Sequence, residues 1–132
     1  MVWIPKGLHI DAYMEITEVD GFSVTLHPHP SAALEQLYFV NMGGYDPNQF
    51  AELHECGFFV GTSVNEVKRR AKLELLTTAK LQHKDDLYEV DQCLSLSTVG
   101  ELHVHLTPVT DSLLKPPALR APTWFGYRRI DN

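Results

Sequence analysis

The stretch LHIDAYMEITEVDGFSVTLHP (residues 8–28) is written a second time as QHKDDLYEVDQCLSLSTVGELHVHLTP (residues 82–108). Each copy begins with His-x-Asp, reaches a Glu four residues after that Asp, and closes on Val-x-Leu-x-Pro. His9 aligns with His83, Asp11 with Asp85, Glu15 with Glu89, Val24 with Val104, Leu26 with Leu106 and Pro28 with Pro108. The offset is 74 residues at the start and 80 at the end, which places an insertion around LSLSTV in the second copy. A repeat of this density decides the fold before any single element does.

Within the first copy, residues 8–19 mix β-branched and aromatic residues with charges and read as a strand. Asp20-Gly21 supplies a tight hairpin turn, because Gly tolerates the positive φ required there. FSVTLHP then alternates, with Phe22, Val24 and Leu26 on one face and Ser23, Thr25 and His27 on the other. A Pro-punctuated connection (28–36) follows. LYFVNM (37–42) is an apolar strand expected to end at Gly43-Gly44, and Asp46-Pro47 marks a turn. ELHECGFFVGTS (52–63) reads as the next strand. Ser63 stands three residues before Glu66, a capping box. Val64, Val67, Ala71, Leu75 and Ala79 then form one apolar helical stripe through residues 64–80. Two more strands are expected around 86–96 and 101–107.

The expected fold class is therefore α+β with a mainly antiparallel sheet: a strand-strand-helix-strand-strand unit preceded by an extra hairpin. Residues 1–30 form the closing hairpin of a partial repeat, 36–108 the complete unit, and 109–132 a Pro-rich and aromatic tail, all in one domain. Only seven residues precede the first copy, so its opening half is missing from this chain. Two explanations stand. Either the sequence is truncated at its N-terminus, or the hairpin extends the sheet of the complete unit or pairs in another protomer. An isolated hairpin is marginal, and an open edge invites a strand. The expected partner is thus a second copy, bound through a sheet edge or by hairpin exchange. Trp124, Phe125 and Tyr127 equip the tail to dock on the body or on that partner.

At 132 residues the chain fits one domain with a real core. No apolar run reaches the ~20 residues needed to span a bilayer, so no membrane partner is expected. The first residues lack the basic and apolar regions of a secretory leader, and two cysteines make no disulfide framework. A cytoplasmic location follows as the expectation. The net charge of −6 opposes a phosphate backbone, so nucleic acid is not an expected partner.

Seven histidines fall largely into i, i+2 pairs: His9/Asp11, His27/His29, His54/Cys56, His83/Asp85 and His103/His105. On a strand such pairs share a face. Imidazole with carboxylate or thiolate suits Zn²⁺ or another divalent transition metal, and His9, Asp11, His83 and Asp85 are the candidate metal ligands. The competing reading is a set of solvent-facing side chains, and no cofactor is predicted. NMGGYDPNQFAELHE (41–55) carries the other candidate site. Gly43 and Gly44 would leave backbone N–H groups approachable, with Tyr45 beside them as ligand-binding residues. Glu52 and His54 are the candidate acid-base pair. The alternative is an ordinary turn. Lys68, Arg69, Arg70 and Lys72 read as a solvated helix face, and Cys56 as a small structural thiol rather than an activated one.

HIDAYMEITEVDGF, LYFVNMGGYDPNQFAELHECGFFVG and the VKRRA helix followed by HKDDLYEVDQC together resemble the bacterial family called domain of unknown function 1543. Members of that family are similar to one or two tandem copies of this unit, and the chain here holds about one and a half. The resemblance implies the fold and no activity. The expected function is a non-enzymatic binding or assembly module that self-associates. The alternative is a small-molecule or metal-dependent enzyme working through a His/Glu/Asp cluster.

Overall fold

A computed structural model describes residues 7–75, 89–109 and 122–130. In chain order the described elements are β1 (His9–Tyr13), β2 (Glu18–Val19), β3 (Phe22–His27), β4 (Gln36–Tyr45) and β5 (Glu52–Gly61). They continue with α1 (Val64–Glu74), β6 (Glu89–Ser95), β7 (Thr98–Val99), β8 (Leu102–Pro108) and β9 (Trp124–Arg129). Every strand pairing is antiparallel, so the fold is α+β with antiparallel sheets.

Several local features follow from the residues. Asp20 and Gly21 both have positive φ, 52° and 80°, as the tight turn between β2 and β3 requires. Ser63 Oγ accepts from Glu66 N at 3.2 Å and caps α1. The reciprocal bond differs from a capping box. Glu66 Oε2 accepts from Thr62 N (3.0 Å) and Thr62 Oγ1 (2.8 Å), one residue before the cap. Other boundaries shift. The strand expected over 8–19 breaks after Tyr13 and resumes at Glu18. β4 runs through Gly43-Gly44 to Tyr45, and α1 stops at Glu74 with Leu75 in extended backbone as its cap. Ala79 lies outside the described residues.

β4 is the middle strand of the sheet β5-β4-β6. Its alternation sends Tyr38, Val40 and Met42 to one face, where with Phe59 they meet Val67, Ala71 and Leu75 of α1 in one buried cluster. The helix comes this close because β5 carries glycine beneath it. A Cβ at Gly61 would stand 2.7 Å from Val67 Cγ2, and one at Gly57 3.1 Å from Leu75 Cδ2. On the opposite face Leu37, Phe58 and Val60 join a second cluster with Ile16, Val19, Phe22, Val24, Leu96, Val104 and Leu106. That cluster fastens the sheet β2-β3-β8-β7 to the first one.

The two hairpins of the four-stranded sheet share one pairing geometry. β2-β3 pairs Glu18 with Ser23 and Val19 with Phe22. β7-β8 pairs Thr98 with His103 and Val99 with Leu102, each position shifted by 80 residues. The bond Val24 N to Thr17 O has its counterpart in Val104 N to Ser97 O, both 2.9 Å. The two hairpins join through β3 and β8, with Val24 facing Leu106 and Leu26 facing Val104. Thr25 faces His105, its own equivalent, so a local two-fold axis passes between them.

The shift of 80 continues outward. β6 pairs with β4 and β1 pairs with β9, and each ladder has one irregularity: the extra residue is Asp91 of β6 in the first and falls in β9, between Phe125 and Arg128, in the second. Cys93 faces Val40 where its equivalent Tyr13 faces Trp124. Asp11 therefore corresponds to Asp91 rather than to Asp85, and the insertion expected around 94–99 is absent. In the ribbon β1-β9, the strand from the tail holds the position that β4 holds beside β6.

Candidate functional site

The sequence-predicted site around Gly43 forms differently from expectation. Gly43 and Gly44 are buried inside β4, with Gly43 facing His54 on one side and Glu89 on the other. A central strand commits its backbone to two ladders, so these N–H groups are not a free cradle. Neither glycine has positive φ. The register does bring the remaining candidates together. Tyr45 faces Glu52, and Glu52 Oε2 lies 3.4 Å from His54 Nε2, both side chains a little under half exposed. Cys56 is next on that face. Its Sγ contacts Asn41 Oδ1 at 3.7 Å, and burial, then the charge of Glu55, pushes its thiol above the usual range. That direction keeps sulfur protonated and opposes an activated thiolate. Glu52, His54 and Cys56 thus form a polar row on the outer strand of the sheet.

His9 and Asp11 meet at 3.1 Å, but on the ribbon, a different sheet from Glu52 and His54. The His9 ring lies 4.4 Å from that of Tyr127, and its Nδ1 stands 3.3 Å from the Gly7 carbonyl. His83 and Asp85 lie outside the described residues.

The densest group of titratable side chains was only half visible in the sequence. On the outward face of β3 and β8, Ser23, Thr25 and His27 stand opposite Thr107, His105 and His103. The ring centroids of His27 and His105 are 4.5 Å apart, those of His29 and His105 5.1 Å, and those of His27 and His29 5.6 Å. His27 Nε2 is 3.1 Å from Thr25 Oγ1, and His105 Nε2 donates to the His29 carbonyl at 2.7 Å. The signal was the two pairs His27/His29 and His103/His105. What sequence lacked was the register that sets Thr25 against His105. As these rings stand, no three His, Cys, Asp or Glu donors among the described residues are already gathered round one point.

Comparison with known proteins gives the fold a relative and no chemistry. The sequence model of the family described as Domain of Unknown Function (DUF1543) matches residues 3–26 and 49–99. The crystal structure of a protein Il1583 from Idiomarina loihiensis is similar, with a TM-score of 0.59 and 23% identity. The match covers 93% of this chain and 65% of that one, so the chain spans less than two-thirds of that protein's length. No curated protein matches the chain. No helix among the described residues is long and apolar enough to cross a membrane.

Proposed function

The chain belongs to the Domain of Unknown Function (DUF1543) family, and from that premise we propose that it is a non-enzymatic binding and assembly module, joined to a second copy of itself through the β1-β9 ribbon. The observation that carries this reading is the Tyr13–Trp124 pair, stacked with ring centroids 6.0 Å apart. By the repeat it occupies the place of Cys93 and Val40, the face that α1 covers in the complete unit. On the ribbon that face opens into a cavity of about 240 Å³ lined by Ile10, Tyr13, Trp124, Arg128 and Ile130. Tyr13 is 54%, Tyr127 67% and Phe125 78% exposed. Among the described residues, no ribbon side chain belongs to either buried cluster.

Physical reasoning favours a covered state. A two-stranded ribbon is marginal by itself in water, and among the described residues no strand pairs with either of its outer edges. Aromatic residues set among arginines have the composition of an interface core. A second copy supplies a surface of the same kind about a two-fold axis, the commonest arrangement for homo-oligomers.

Light scattering over a dilution series tests the proposal. The wild-type chain is expected to be a dimer at high concentration, and Trp124→Ser or Tyr13→Ser a monomer with unchanged helical circular dichroism. A wild-type monomer at every concentration, or a dimer indifferent to both substitutions, would overturn it. The rival reading, an enzyme working through Glu52 and His54, rests on their 3.4 Å approach. It predicts a divalent-ion thermal shift lost in His54→Ala.

A further inference from the structure

We propose that His27, His29 and His105 bind a single divalent transition-metal ion. This site is distinct from the ribbon and from Glu52/His54, and it does not depend on the assembly reading.

The first argument is spacing. A Zn–N bond of about 2.0–2.1 Å puts each imidazole centroid roughly 3 Å from the metal, so tetrahedral ligands have centroids about 5 Å apart. The three separations here, 4.5, 5.1 and 5.6 Å, bracket that value.

The second argument is the frame. β3 and β8 are locked over six opposed pairs, from Phe22–Pro108 to His27–His103. The reverse face of the same strands is anchored by Val24, Val104 and Leu106 in a hydrophobic cluster. His29 is bracketed by Pro28 and Pro30, which restrict the backbone on both sides of it. The positions are therefore preorganised and only the rings must turn. Binding releases His27 Nε2 from Thr25 Oγ1 and His105 Nε2 from the His29 carbonyl, and redirects imidazole nitrogens inward.

The third argument is donor chemistry. An all-imidazole set suits Zn²⁺, Ni²⁺ or Cu²⁺, whereas Mg²⁺ and Ca²⁺ require oxygen. The site also lies on the local two-fold axis, since His105 faces Thr25, its repeat equivalent. A bound ion would clamp the two hairpins at the point where the repeats meet.

The experiment is titration of the untagged chain with Zn²⁺ by calorimetry, and with Co²⁺ followed by its visible absorption. The expected result is one ion per chain. His27→Ala and His105→Ala are expected to weaken binding by more than roughly 100-fold, the upper end for losing a merely supporting contact. His105→Gln keeps a donor for the His29 carbonyl and controls for folding. It is expected to lose the metal while retaining the wild-type melting temperature of the metal-free chain. His9→Ala and His54→Ala are expected to bind as wild type, and so is Trp124→Ser. The proposal is overturned by no uptake of either ion, by uptake indifferent to His27 and His105, or by equal loss in His9→Ala or His54→Ala.

Discussion

Asp20, in the turn between β2 and β3, meets Arg70 of α1: Asp20 Oδ2 is 3.0 Å from Arg70 Nη2 and also accepts from the Val60 amide at 2.7 Å. Arg70 Nη1 in turn donates to the Val60 carbonyl at 2.9 Å. One ion pair therefore closes both backbone groups of Val60 on the outer strand β5, and ties the first hairpin to the helix. Asp20 holds positive φ, where its repeat equivalent is Gly100 at φ 60°. A non-glycine residue carries a steric cost there, which aspartate tolerates better than most. Asp20→Gly is expected to relieve the backbone yet lower stability by about 1–2 kcal/mol, since charged hydrogen bonds contribute about 1.5–3 and both partners are partly exposed. Urea melts of Asp20→Ala, Arg70→Ala and the double variant are expected to show coupling of about 1 kcal/mol. Strict additivity would contradict the bridge.

Helix docking depends on the absence of a side chain at position 61. Gly61→Ala places a methyl 2.7 Å from Val67 Cγ2, inside van der Waals contact, and Val67 is fully buried. The expected loss is about 1–3 kcal/mol from overpacking. Val67→Ala in the same chain makes room, so the double variant is expected to lose less than the two single losses combined. Gly57→Ala, whose methyl would stand 3.1 Å from Leu75 Cδ2 and 3.2 Å from the Phe59 ring, is expected to be milder because neither approach is as short as 2.7 Å. Thermal denaturation of the four proteins settles the order.

The helix N-terminus carries a pH dependence of known sign. Hydrogen bonds from the Thr62 amide and then its hydroxyl hold the Glu66 carboxyl below the usual range. Desolvation opposes this, while Arg70 and Arg69 assist it. A carboxylate whose folded pKa is depressed contributes stability above its unfolded pKa, and that contribution disappears as pH falls through the folded value. Glu66→Ala is therefore expected to be less stable than wild type at neutral pH. The gap should shrink as pH falls below the ordinary glutamate range, about 4.3. Urea midpoints at several pH values check it, and a gap independent of pH would contradict the assignment.

The ribbon has a glycine of its own. Gly126 adopts φ 155°, and a Cβ there would stand 3.1 Å from Trp124 Cζ2. Gly126→Ala is expected to loosen β9 from β1 while leaving the α1 core intact. Hydrogen exchange reads this out: the Thr123 amide bonded to Tyr13 O and the Ile130 amide bonded to Leu8 O should lose protection. Amides of β4 should not change.

What could be read from the residues was local. The Asp-Gly turn and the serine cap depend on neighbours a few positions away, and both formed. Of the expected helical stripe Val67, Ala71 and Leu75 are buried while Val64 is exposed, and of the expected β3 face Phe22 and Val24 join the core while Leu26 is exposed. Gly43-Gly44 misled because glycine signals a turn equally well when it sits in a buried central strand. The likeness of the two hairpins was legible, but its front half was drawn six residues out of register by the shared His-x-Asp phrase. The matching hairpin pairs, Glu18–Ser23 with Thr98–His103 and Val19–Phe22 with Val99–Leu102, set the alignment instead. Pairing of β1 with β9 joins residues more than a hundred positions apart and leaves no periodic trace. The histidine group likewise exists only once β3 and β8 are in register.

On the proposed assembly, the ribbon face bearing Tyr13 and Trp124 packs on a second copy. Isotope-filtered NMR on a mixture of labelled and unlabelled chains measures this directly. The account predicts intermolecular cross-peaks from the Trp124 and Tyr13 rings to the ribbon of the other chain. Cross-peaks confined to β5 or β6, or none at concentrations where light scattering reports a dimer, would contradict it.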